Sequence, residues 1–411
     1  MKFPLPSVCM LVYSYYPEST GGAERQCRLQ AGELARLGHR CLVLTTRRRW
    51  ATPRREMDLG CEIVRIPMVE AWFDRLRRPG TRTAAASLAS PRASNGPSVM
   101  AAHAARVVRW LNAAFFLLGA SWVLFRRRRS LAVIHAHGAD WHAGFAGWIG
   151  RRFSIPVVCK GANVPVFPAL IGIPFARNFD AWRRRIHYVA LTPAMRDDLV
   201  ANGVAGDRIT IVPNGVAIPE AVPVFSREPL VLHVANYTQP AWNKAFDVLF
   251  DAWPQVACEC KSAHLVTAGA GDVSRWQRQL AESGCADRVE FIGYRANLED
   301  WFRRAAVFVL PSRHEGISNA LLEAQSFGVP AVVSDIPGNC VVVVPGVTGL
   351  VVPAGDADAL ALALIRLLSD PELRCRLGSE ARRRMQAEFG IETIARRMVD
   401  LYRRLGMKEG D

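Results

Sequence analysis

The feature that most constrains the fold is a regular alternation of strand-length apolar runs with segments of helical pattern. The first half contains VCMLVYS (8–14), RCLVLTT (40–46) and LAVIHAH (131–137), and the second half contains PLVLHVAN (229–236) and AVFVLPS (306–312). Strands that alternate with helices of 10–15 residues favour parallel sheets with helices on both faces. The sequence therefore predicts an α/β protein with doubly wound parallel sheets.

The length of the chain indicates more than one such unit. A chain of 411 residues is too long for one ordinary hydrophobic core, and the Pro-rich stretch AIPEAVPVFSREP begins just after Val216. We predict one domain over 1–216, a second over 217–385, and a C-terminal helix over 386–411. That helix belongs to a long Arg-rich amphipathic stretch, Ala381 to Leu405, which we expect to cross back to the first domain. Ligands of such folds bind at the carboxyl ends of the strands, in the cleft between the domains.

The basic charge of the chain belongs to its first half. The formal net charge is +15, and residues 1–200 carry 30 Lys and Arg against 12 Asp and Glu. Residues 201–411 carry 22 against 25. This asymmetry predicts an anionic partner for the first domain only. The basic runs lack interleaved aromatic residues and no nucleic-acid motif is visible, so we expect no specific nucleic-acid binding.

Cysteine usage and the N-terminus indicate a reducing, cytoplasmic location. The 10 cysteines are scattered, without a C-x-x-C pair or a regular spacing, so buried free thiols are expected rather than disulfides or a zinc site. The N-terminal MKFPLPSVCMLVYSYYP is interrupted by Pro4 and Pro6 and lacks the apolar core of a signal peptide. We expect this stretch to contain the first buried strand.

One apolar segment leaves three interpretations open. Residues 111–125 carry no charge and are flanked by Arg109 and by Arg126–Arg129. The segment is shorter than the ~20 residues that span a bilayer. It could form a buried core helix, a helix in the membrane interface with the arginines on anionic headgroups, or a transmembrane span. The second interpretation predicts a peripheral protein whose N-terminal domain contacts an anionic membrane surface.

The stretch RHEGISNALLEAQSFGVP (313–330) places two glutamates eight residues apart, directly after a predicted buried strand. Ser318 or Asn319 is a good N-cap for a helix through ALLEA, so Glu315 precedes the helix and Glu323 lies within it. A carboxylate accepts hydrogen bonds from sugar hydroxyls. For either glutamate alone, a structural role is the favoured interpretation, with Glu315 as a helix-dipole partner and Glu323 as a solvated residue.

The same helix start suits an anion. The backbone N–H groups of Ile317, Ser318 and Asn319 form a helix N-terminus, which favours phosphate. Lys244 follows the first strand of the second half and could bind a diphosphate, or could be a surface residue.

Two further candidates lie in the first half. Gly21 and Gly22 follow its first strand and open a helix, where glycine allows a ligand to approach closely. His137 and Asp140, at the end of the 131–137 strand, could reach the cleft or could be structural polar residues.

Taken together, these features resemble the family-4 glycosyltransferases over nearly the whole chain. The resemblance is carried by YPESTGGAER (16–25), VIHAHG (133–138), ITIVPNGV (209–216), NKAFDVL (243–249) and PSRHEGISNALLEAQSFGVPAVVSD (311–335). The last stretch looks like the E-x7-E donor motif of the family, in a matching strand–loop–helix context.

The resemblance implies a GT-B fold, in which two Rossmann-like domains face each other across a cleft, with 1–216 on the acceptor side and 217–385 binding the donor. It implies transfer of a sugar from a UDP- or GDP-linked co-substrate, with retention at the anomeric carbon and without a metal or another cofactor. We expect a lipid-linked or polysaccharide-precursor acceptor at the cytoplasmic face of the membrane.

Carried over by position, the resemblance also implies residue roles. Glu315 would contact the donor sugar, Glu323 the ribose hydroxyls and Lys244 the diphosphate, which Gly22 would face from the other domain. The loop Gly293–Arg295 would influence base selectivity. The other expected donor-site residues are Gly21, Asn236, Tyr294, Arg295, Gly316, Ile317, Ser318 and Asn319.

The sequence departs from the family pattern at two places. Ala235-Asn236 and Lys244-Ala245 stand where relatives often carry Gly-Arg and Lys-Gly, and the strand PVVCKGAN lacks the usual histidine. Lys160 could replace that side chain, which would make Glu315, Lys160 and His137 the catalytic candidates. Alternatively, this chain works without it or is inactive. A nucleotide-sugar epimerase of the same fold and a degenerate GT-B binding protein are the other interpretations.

Overall fold

The chain forms two α/β units. The computed structural model describes residues 7–76, 99–166, 180–220, 228–237 and 241–407. The first unit comprises the described residues of Met1–Ala190, Arg196–Thr210 and Met398–Asp411, and the second those of Leu191–Met195 and Ile211–Arg397. Each unit is built on one sheet with helices packed against it.

The first sheet has eight strands in the order β3-β4-β2-β1-β5-β6-β7-β8. The strands are β1 (Ser7–Leu11), β2 (Cys41–Arg47), β3 (Arg55–Asp58), β4 (Cys61–Pro67), β5 (Leu131–His137), β6 (Val157–Lys160), β7 (His187–Ala190) and β8 (Ile209–Ile211). The helices are α1 (Gly22–Arg36), α2 (Val69–Leu76), α3 (Val99–Arg127), α4 (Trp141–Phe153), α5 (Asp180–Arg183) and α6 (Pro193–Ala201). The short edge strand β3 is antiparallel to β4, an element that the apolar pattern did not predict.

The strand order of the first sheet places a topological switch point between β1 and β5. Leu11 of β1 pairs in parallel with Leu44 of β2 on one side and with Ala136 of β5 on the other. The strands that follow β1 in the sequence are therefore added on one side of it, and the strands that follow β5 are added on the opposite side of the sheet. The carboxyl ends of these two strands form the edge at which such sheets bind ligands; His137 ends β5, and Gly21 lies in the connection from β1 to α1.

Helix α3 contains the uncharged segment 111–125 and is buried on one face only. The residues on its buried face are Asn112, Ala113, Phe116, Ala120, Val123 and Leu124. A Cβ added at Gly119 would lie 2.7 Å from Cγ2 of Ile66 in β4, so the helix approaches the sheet closely there. Within the described ranges, Arg106–Arg127 is the one helical segment long and apolar enough to cross a membrane.

The second sheet has six strands in the order β11-β10-β9-β12-β13-β14, and all its neighbours pair in parallel. The strands are β9 (Leu230–Val234), β10 (His264–Ala268), β11 (Val289–Gly293), β12 (Val307–Leu310), β13 (Ala331–Ser334) and β14 (Gly349–Val352). The helices are α7 (Phe246–Glu259), α8 (Ser274–Glu282), α9 (Glu299–Arg304), α10 (Asn319–Ser326), α11 (Pro337–Val342), α12 (Ala357–Ser369) and α13 (Pro371–Arg384). Its first strand, β9, lies beside its fourth, β12, so the switch point of this unit lies between them. Helix α14 (Ile391–Arg404) begins in this unit, and its residues from Met398 onward belong to the first unit.

The predicted continuous helix from Ala381 to Leu405 is wrong. Helix α13 ends at Arg384, a π-helical turn follows over Met385–Phe389, and α14 begins after Gly390. The break has a backbone cause, because the N–H of Val216 donates to the carbonyl of Phe389 (2.9 Å) and the N–H of Ile391 donates to that of Val216 (2.9 Å). These bonds replace helical ones, and the amphipathic pattern could not reveal a partner so distant in sequence.

Candidate active site

Lys244 and Glu315 form an ion pair at the switch point of the second unit. Lys244 ends a 3₁₀ turn (Ala241–Lys244) after β9, and Glu315 lies in the loop after the adjacent strand β12. The Lys244 ammonium donates to Oε1 of Glu315, and the Ser312 hydroxyl donates to the same oxygen (3.4 Å). The side chains are 31% and 12% exposed, so both charges remain accessible to a ligand. The sheet order brings together two residues that are 71 positions apart.

The loops that carry this pair are tied to each other. The backbone N–H of Arg313 donates to the carbonyl of Asn243 (2.9 Å). The Arg313 guanidinium also forms two hydrogen bonds of 2.7 Å with the two carboxylate oxygens of Asp247. This guanidinium lowers the pKa of Asp247, and the carboxylate raises the pKa of Arg313. Arg313 therefore fixes the spacing of the two loops, and the carboxylate of Asp247 balances its positive charge.

The Glu315 loop rests on the start of α11. A Cβ added at Gly338 would overlap the carbonyl oxygen of Gly316. The buried amide of Asn339 donates to the carbonyl (3.1 Å) and the hydroxyl (3.0 Å) of Ser334, whose hydroxyl donates to the carbonyl of Ser312. These contacts support the loop after β12, and no pattern in the sequence predicted them.

The start of α10 matches the predicted position. Ser318 is the N-cap, and its Oγ accepts a hydrogen bond from the N–H of Leu321 (3.4 Å). Helix α10 begins at Asn319, so Glu323 lies just over one turn inside it, half-buried. Sequence reasoning missed Asn214, whose buried amide donates to the carbonyl of Ile317 (3.1 Å). Asn214 lies within ITIVPNGV, a stretch that was interpreted only as part of the family resemblance.

Three other predicted donor-site residues lie at the same edge of the sheet. Asn236 follows β9, and its Oδ1 accepts a hydrogen bond from the N–H of Ala270 (2.9 Å), so it shapes the loop after β10. Tyr294 and Arg295 follow β11 and are exposed. Because β10 separates β11 from β9, these two residues lie further along the edge than the Lys244–Glu315 pair.

Sequence reasoning also missed a buried polar group in β9. Nδ1 of His233 is 3.1 Å from the Thr267 hydroxyl, which also bonds to the hydroxyl of Tyr237. Burial, with the nearby charge of Lys244, lowers the pKa of His233 to about 3. His233 is therefore neutral at pH 7 and adds no positive charge beside Lys244.

In the first unit, His137 and Lys160 end two adjacent strands. They pair in register at the carboxyl ends of β5 and β6, and both are buried. Burial lowers the pKa of Lys160 to about 7. Burial also lowers the pKa of His137 well below its usual value, with contributions from His135 and Lys160. His137 is therefore neutral at pH 7, whereas Lys160 can gain or lose its proton there.

Two more histidines surround this pair. The rings of His135 and His137 stack with their centroids 4.4 Å apart, and Nδ1 of His135 is 2.6 Å from the hydroxyl of Tyr402 in α14. Nε2 of His142 lies 3.1 Å from the carbonyl oxygen of His137. In the described part of the chain, the buried Nε2 of His137 has no hydrogen-bond partner. A ligand could therefore use that nitrogen.

The glycines after β1 have ordinary backbone geometry. Gly21 caps α1 with φ −67° and ψ 173°, which other residues also adopt, and both Gly21 and Gly22 are exposed. A Cβ added at Gly21 would lie 2.5 Å from Oε2 of Glu24. Any benefit of glycine for ligand approach therefore comes from its small size and not from a left-handed conformation.

The described residues contain no group of three or more His, Cys, Asp or Glu side chains arranged to hold a metal ion.

Comparison with protein families identifies the class of this chain. Residues 21–215 match the model of a glycosyl transferase 4-like domain, and residues 228–370 match that of glycosyl transferases group 1. The two models together cover most of the sequence, so the chain belongs to this glycosyltransferase family. The resemblance seen in the motifs is confirmed.

Several curated proteins are similar to parts of the chain. The mannosyltransferase LpcC of lipopolysaccharide core biosynthesis from Rhizobium leguminosarum bv. viciae is 35% identical over 126 residues, 31% of this chain and 36% of that protein. A D-inositol 3-phosphate glycosyltransferase of Streptomyces avermitilis is 29% identical over 308 residues, 66% of this chain and 64% of that protein. A GDP-mannose-dependent monoacylated α-(1-6)-phosphatidylinositol monomannoside mannosyltransferase of Corynebacterium glutamicum is 33% identical over 169 residues, 39% and 44% of the two chains. Each match spans less than two-thirds of the relative.

Solved structures show the same fold over nearly the whole chain. Anabaena Alr3699/HepE in complex with UDP has a TM-score of 0.69 at 15% identity, with 97% of this chain and 100% of that chain covered. WaaG, a glycosyltransferase involved in lipopolysaccharide biosynthesis, has a TM-score of 0.65 at 16% identity, with 96% and 99% covered. The fold is GT-B, as the sequence predicted.

Proposed function

We propose that this protein is a glycosyltransferase whose nucleotide-sugar donor binds at the switch point of the second unit. The observation that carries the proposal is the Lys244–Glu315 pair, which joins an ammonium and a carboxylate at the carboxyl ends of β9 and β12. Doubly wound sheets bind nucleotides at this place. An ammonium suits a diphosphate, and a carboxylate suits sugar hydroxyls.

The proposed roles follow the positions of the residues. Lys244 holds the diphosphate together with the N-terminus of α10, around Gly316 to Asn319. Glu315 accepts hydrogen bonds from the donor sugar, and Glu323 accepts them from the ribose. The tether between Arg313 and Asp247, at 2.7 Å, supports this assignment because it limits the movement of the loop that carries Glu315.

We further propose retention at the anomeric carbon and transfer without a metal. The negative charge that develops on the leaving diphosphate is then stabilised by Lys244 and by backbone N–H groups, which are fixed before the reaction begins. Lys160 and His137, at the carboxyl ends of β6 and β5 in the first unit, are proposed as further catalytic residues. Lys160 carries a positive charge when it is protonated, and the buried Nε2 of neutral His137 has no hydrogen-bond partner among the described residues. Gly21 and Gly22 are proposed as donor-site residues.

The proposed acceptor is a lipid-linked or polysaccharide-precursor glycan at the cytoplasmic face of the membrane. Two of the similar proteins act, by their names, on lipopolysaccharide core and on a phosphatidylinositol mannoside. The excess of basic residues in the first half of the sequence fits an acceptor with phosphate groups.

Product analysis tests the proposed reaction. The protein would be incubated with UDP- and GDP-linked sugars, alone and with lipid-linked glycan acceptors, with and without EDTA, and the products followed by NMR. We expect slow donor hydrolysis without acceptor and faster transfer with it, with the anomeric configuration of the donor kept and no effect of EDTA. An isomerised free nucleotide-sugar would indicate an epimerase. Donor binding without any turnover would indicate a binding protein.

A further inference from the structure

The outward face of α3 carries a continuous row of large apolar side chains. These residues recur every three to five positions and are 42% to 71% exposed: Val107, Trp110, Phe115, Leu118, Trp122 and Phe125. A contiguous exposed apolar patch of this kind marks an interaction site for a protein or a membrane. We call these six residues the α3 face.

The opposite face of α3 is fixed to the sheet, which decides how the helix can meet a membrane. Asn112 is buried, and its Oδ1 accepts from the N–H of Val69 (2.8 Å) while its Nδ2 donates to the carboxylate of Glu70 (2.8 Å). Phe116 and Leu124, on the same face of α3 as Asn112, are fully buried. A transmembrane position would require breaking these contacts. The helix can therefore present only one side to lipid, as a helix that lies in the interface does.

A group of arginines borders the α3 face at its C-terminal end. Arg126, Arg128 and Arg129 follow Phe125, whose ring lies 6.1 Å from that of Phe153. We call Arg126, Arg128 and Arg129 the basic rim. In the described ranges none of these three pairs with a carboxylate, whereas Arg127 between them bonds to Glu62 (2.9 Å).

The aromatic and basic groups are also in direct contact. The guanidinium of Arg126 lies 5.1 Å from the ring centroid of Trp122, and that of Arg128 lies 4.0 Å from the ring centroid of Phe125. Each arginine therefore sits over an apolar ring and keeps its charge at the border of the patch. Tryptophan and arginine are the side chains that prefer the boundary between lipid tails and headgroups.

The charge pattern decides which partner fits. Neither α3 nor α4 contains an Asp or Glu. A second copy of this chain, paired through the same face, would bring arginines near arginines without any acidic residue to compensate. An apolar surface with dense negative charge at its border has the complementary character. That is an anionic lipid bilayer.

We propose that the α3 face and the basic rim dock this protein in the plane of an anionic lipid bilayer. The apolar side chains insert to the level of the acyl boundary, and the three arginines of the basic rim contact lipid phosphates. The proposal rests on the surface of the first unit alone and does not depend on the donor site. Its test therefore needs neither donor nor acceptor.

Vesicle flotation of the full-length protein tests the proposal. We expect binding to phosphatidylcholine vesicles that contain phosphatidylglycerol, weak binding to phosphatidylcholine alone, and release by high salt. The triple substitution Arg126→Gln, Arg128→Gln and Arg129→Gln should weaken binding on the order of a hundredfold, about fivefold for each arginine. The double substitution Leu118→Ser and Trp122→Ser should weaken it more than about tenfold.

Matched variants on the second unit control for charge and apolar surface. Arg275→Gln, Arg278→Gln and Arg366→Gln remove the same charge from exposed helix positions, and Leu362→Ser alters an exposed leucine of α12. These variants should bind as the unaltered protein does. Circular dichroism and thermal melting would confirm that every variant is folded.

Two further measurements, the depth of insertion and the oligomeric state of the protein, distinguish the proposal from its alternatives. Fluorescence of the bound protein should be quenched by lipids labelled near the headgroup, and alkaline carbonate should release the protein. Equal binding to anionic and neutral vesicles, or binding unaffected by the α3 variants, would refute the proposal. A dimer in sedimentation that Leu118→Ser converts to a monomer would show instead that a second copy covers the α3 face.

Discussion

At the scale of single residues, surroundings decide what identical side chains can do. Lys160 and Lys244 were both predicted to be cations of the donor site. Lys244 is partly exposed and paired with Glu315, whereas Lys160 is buried and its pKa is lowered to about 7. The sequence located both lysines at strand ends, but the burial that changes Lys160 depends on tertiary packing, which no local pattern contains.

Binding of a diphosphate near Lys160 should be accompanied by proton uptake. At pH 8 most of the free protein has neutral Lys160, and a nearby anion raises its pKa, so binding should take up close to one proton per site. Calorimetry of UDP binding in two buffers with different ionisation enthalpies would measure this uptake. It should disappear in Lys160→Met and persist in Lys261→Met, which alters an exposed lysine before β10. Heats that do not depend on the buffer would show that Lys160 is remote from the ligand.

The same lysine should impose a pH dependence on stability. Between pH 7 and 10.5 the unfolded chain keeps a proton on Lys160 that the folded protein has lost. Because the unfolded state binds more protons there, this group makes the free energy of unfolding rise with pH across that window. It makes no such contribution below pH 7, where both states are protonated. Urea unfolding at several pH values should show this rise in the unaltered protein relative to Lys160→Met. If the free energy of unfolding changed with pH in the same way in both proteins, the lowered pKa of Lys160 in the folded protein would be contradicted.

At the scale of elements, periodicity predicted most strands and helices, and the errors have two causes. Helix α10 begins where Ser318 caps it, as predicted from local chemistry. The break at Gly390 depends on Val216, which is distant in sequence, so no local pattern predicted it. The edge strand β3 pairs with the next strand, β4, and was missed because it is polar and not an apolar run. Ala245, the N-cap of α7, has φ 51°, a left-handed conformation that favours glycine. The sequence showed alanine at that position without showing the conformation.

The support beneath the Glu315 loop gives a prediction at this scale. Gly338→Ala places a methyl group against the backbone of Gly316, so α11 and the loop must separate. We expect a loss of about 1–3 kcal/mol in the free energy of unfolding, together with weaker nucleotide binding. Gly206→Ala is the matched control, because a Cβ there meets nothing within 4 Å. Denaturant unfolding and nucleotide titration of both variants would check this, and equal behaviour of the two would show that the α11 contact does not position the loop.

At the scale of the whole molecule, the fold class was predictable and the arrangement of the site was only partly so. The alternation of apolar runs predicted two parallel α/β units, and the GT-B neighbours confirm the fold. The strand orders, which create the two switch points, could not be derived from apolar runs, because any of several orders buries the same residues. Asp247 was missed for the same reason, because its partner Arg313 follows a different strand. Asn339 bonds to the nearby Ser334, and its connection to the site loop becomes visible only through the bond from Ser334 to Ser312 of the adjacent strand end.

Nucleotide titration of two variants tests the central claim most directly. UDP, GDP and ADP would be titrated calorimetrically into the unaltered protein, Lys244→Ala and Glu323→Ala, with Lys261→Ala and Glu282→Ala as exposed controls on the same unit. For the nucleotide that binds, we predict a loss of about 10- to 100-fold in affinity for each of the first two variants, because each loses hydrogen bonds to a charged group. The controls should keep full affinity. Unchanged affinity in both Lys244→Ala and Glu323→Ala would contradict the donor site described here.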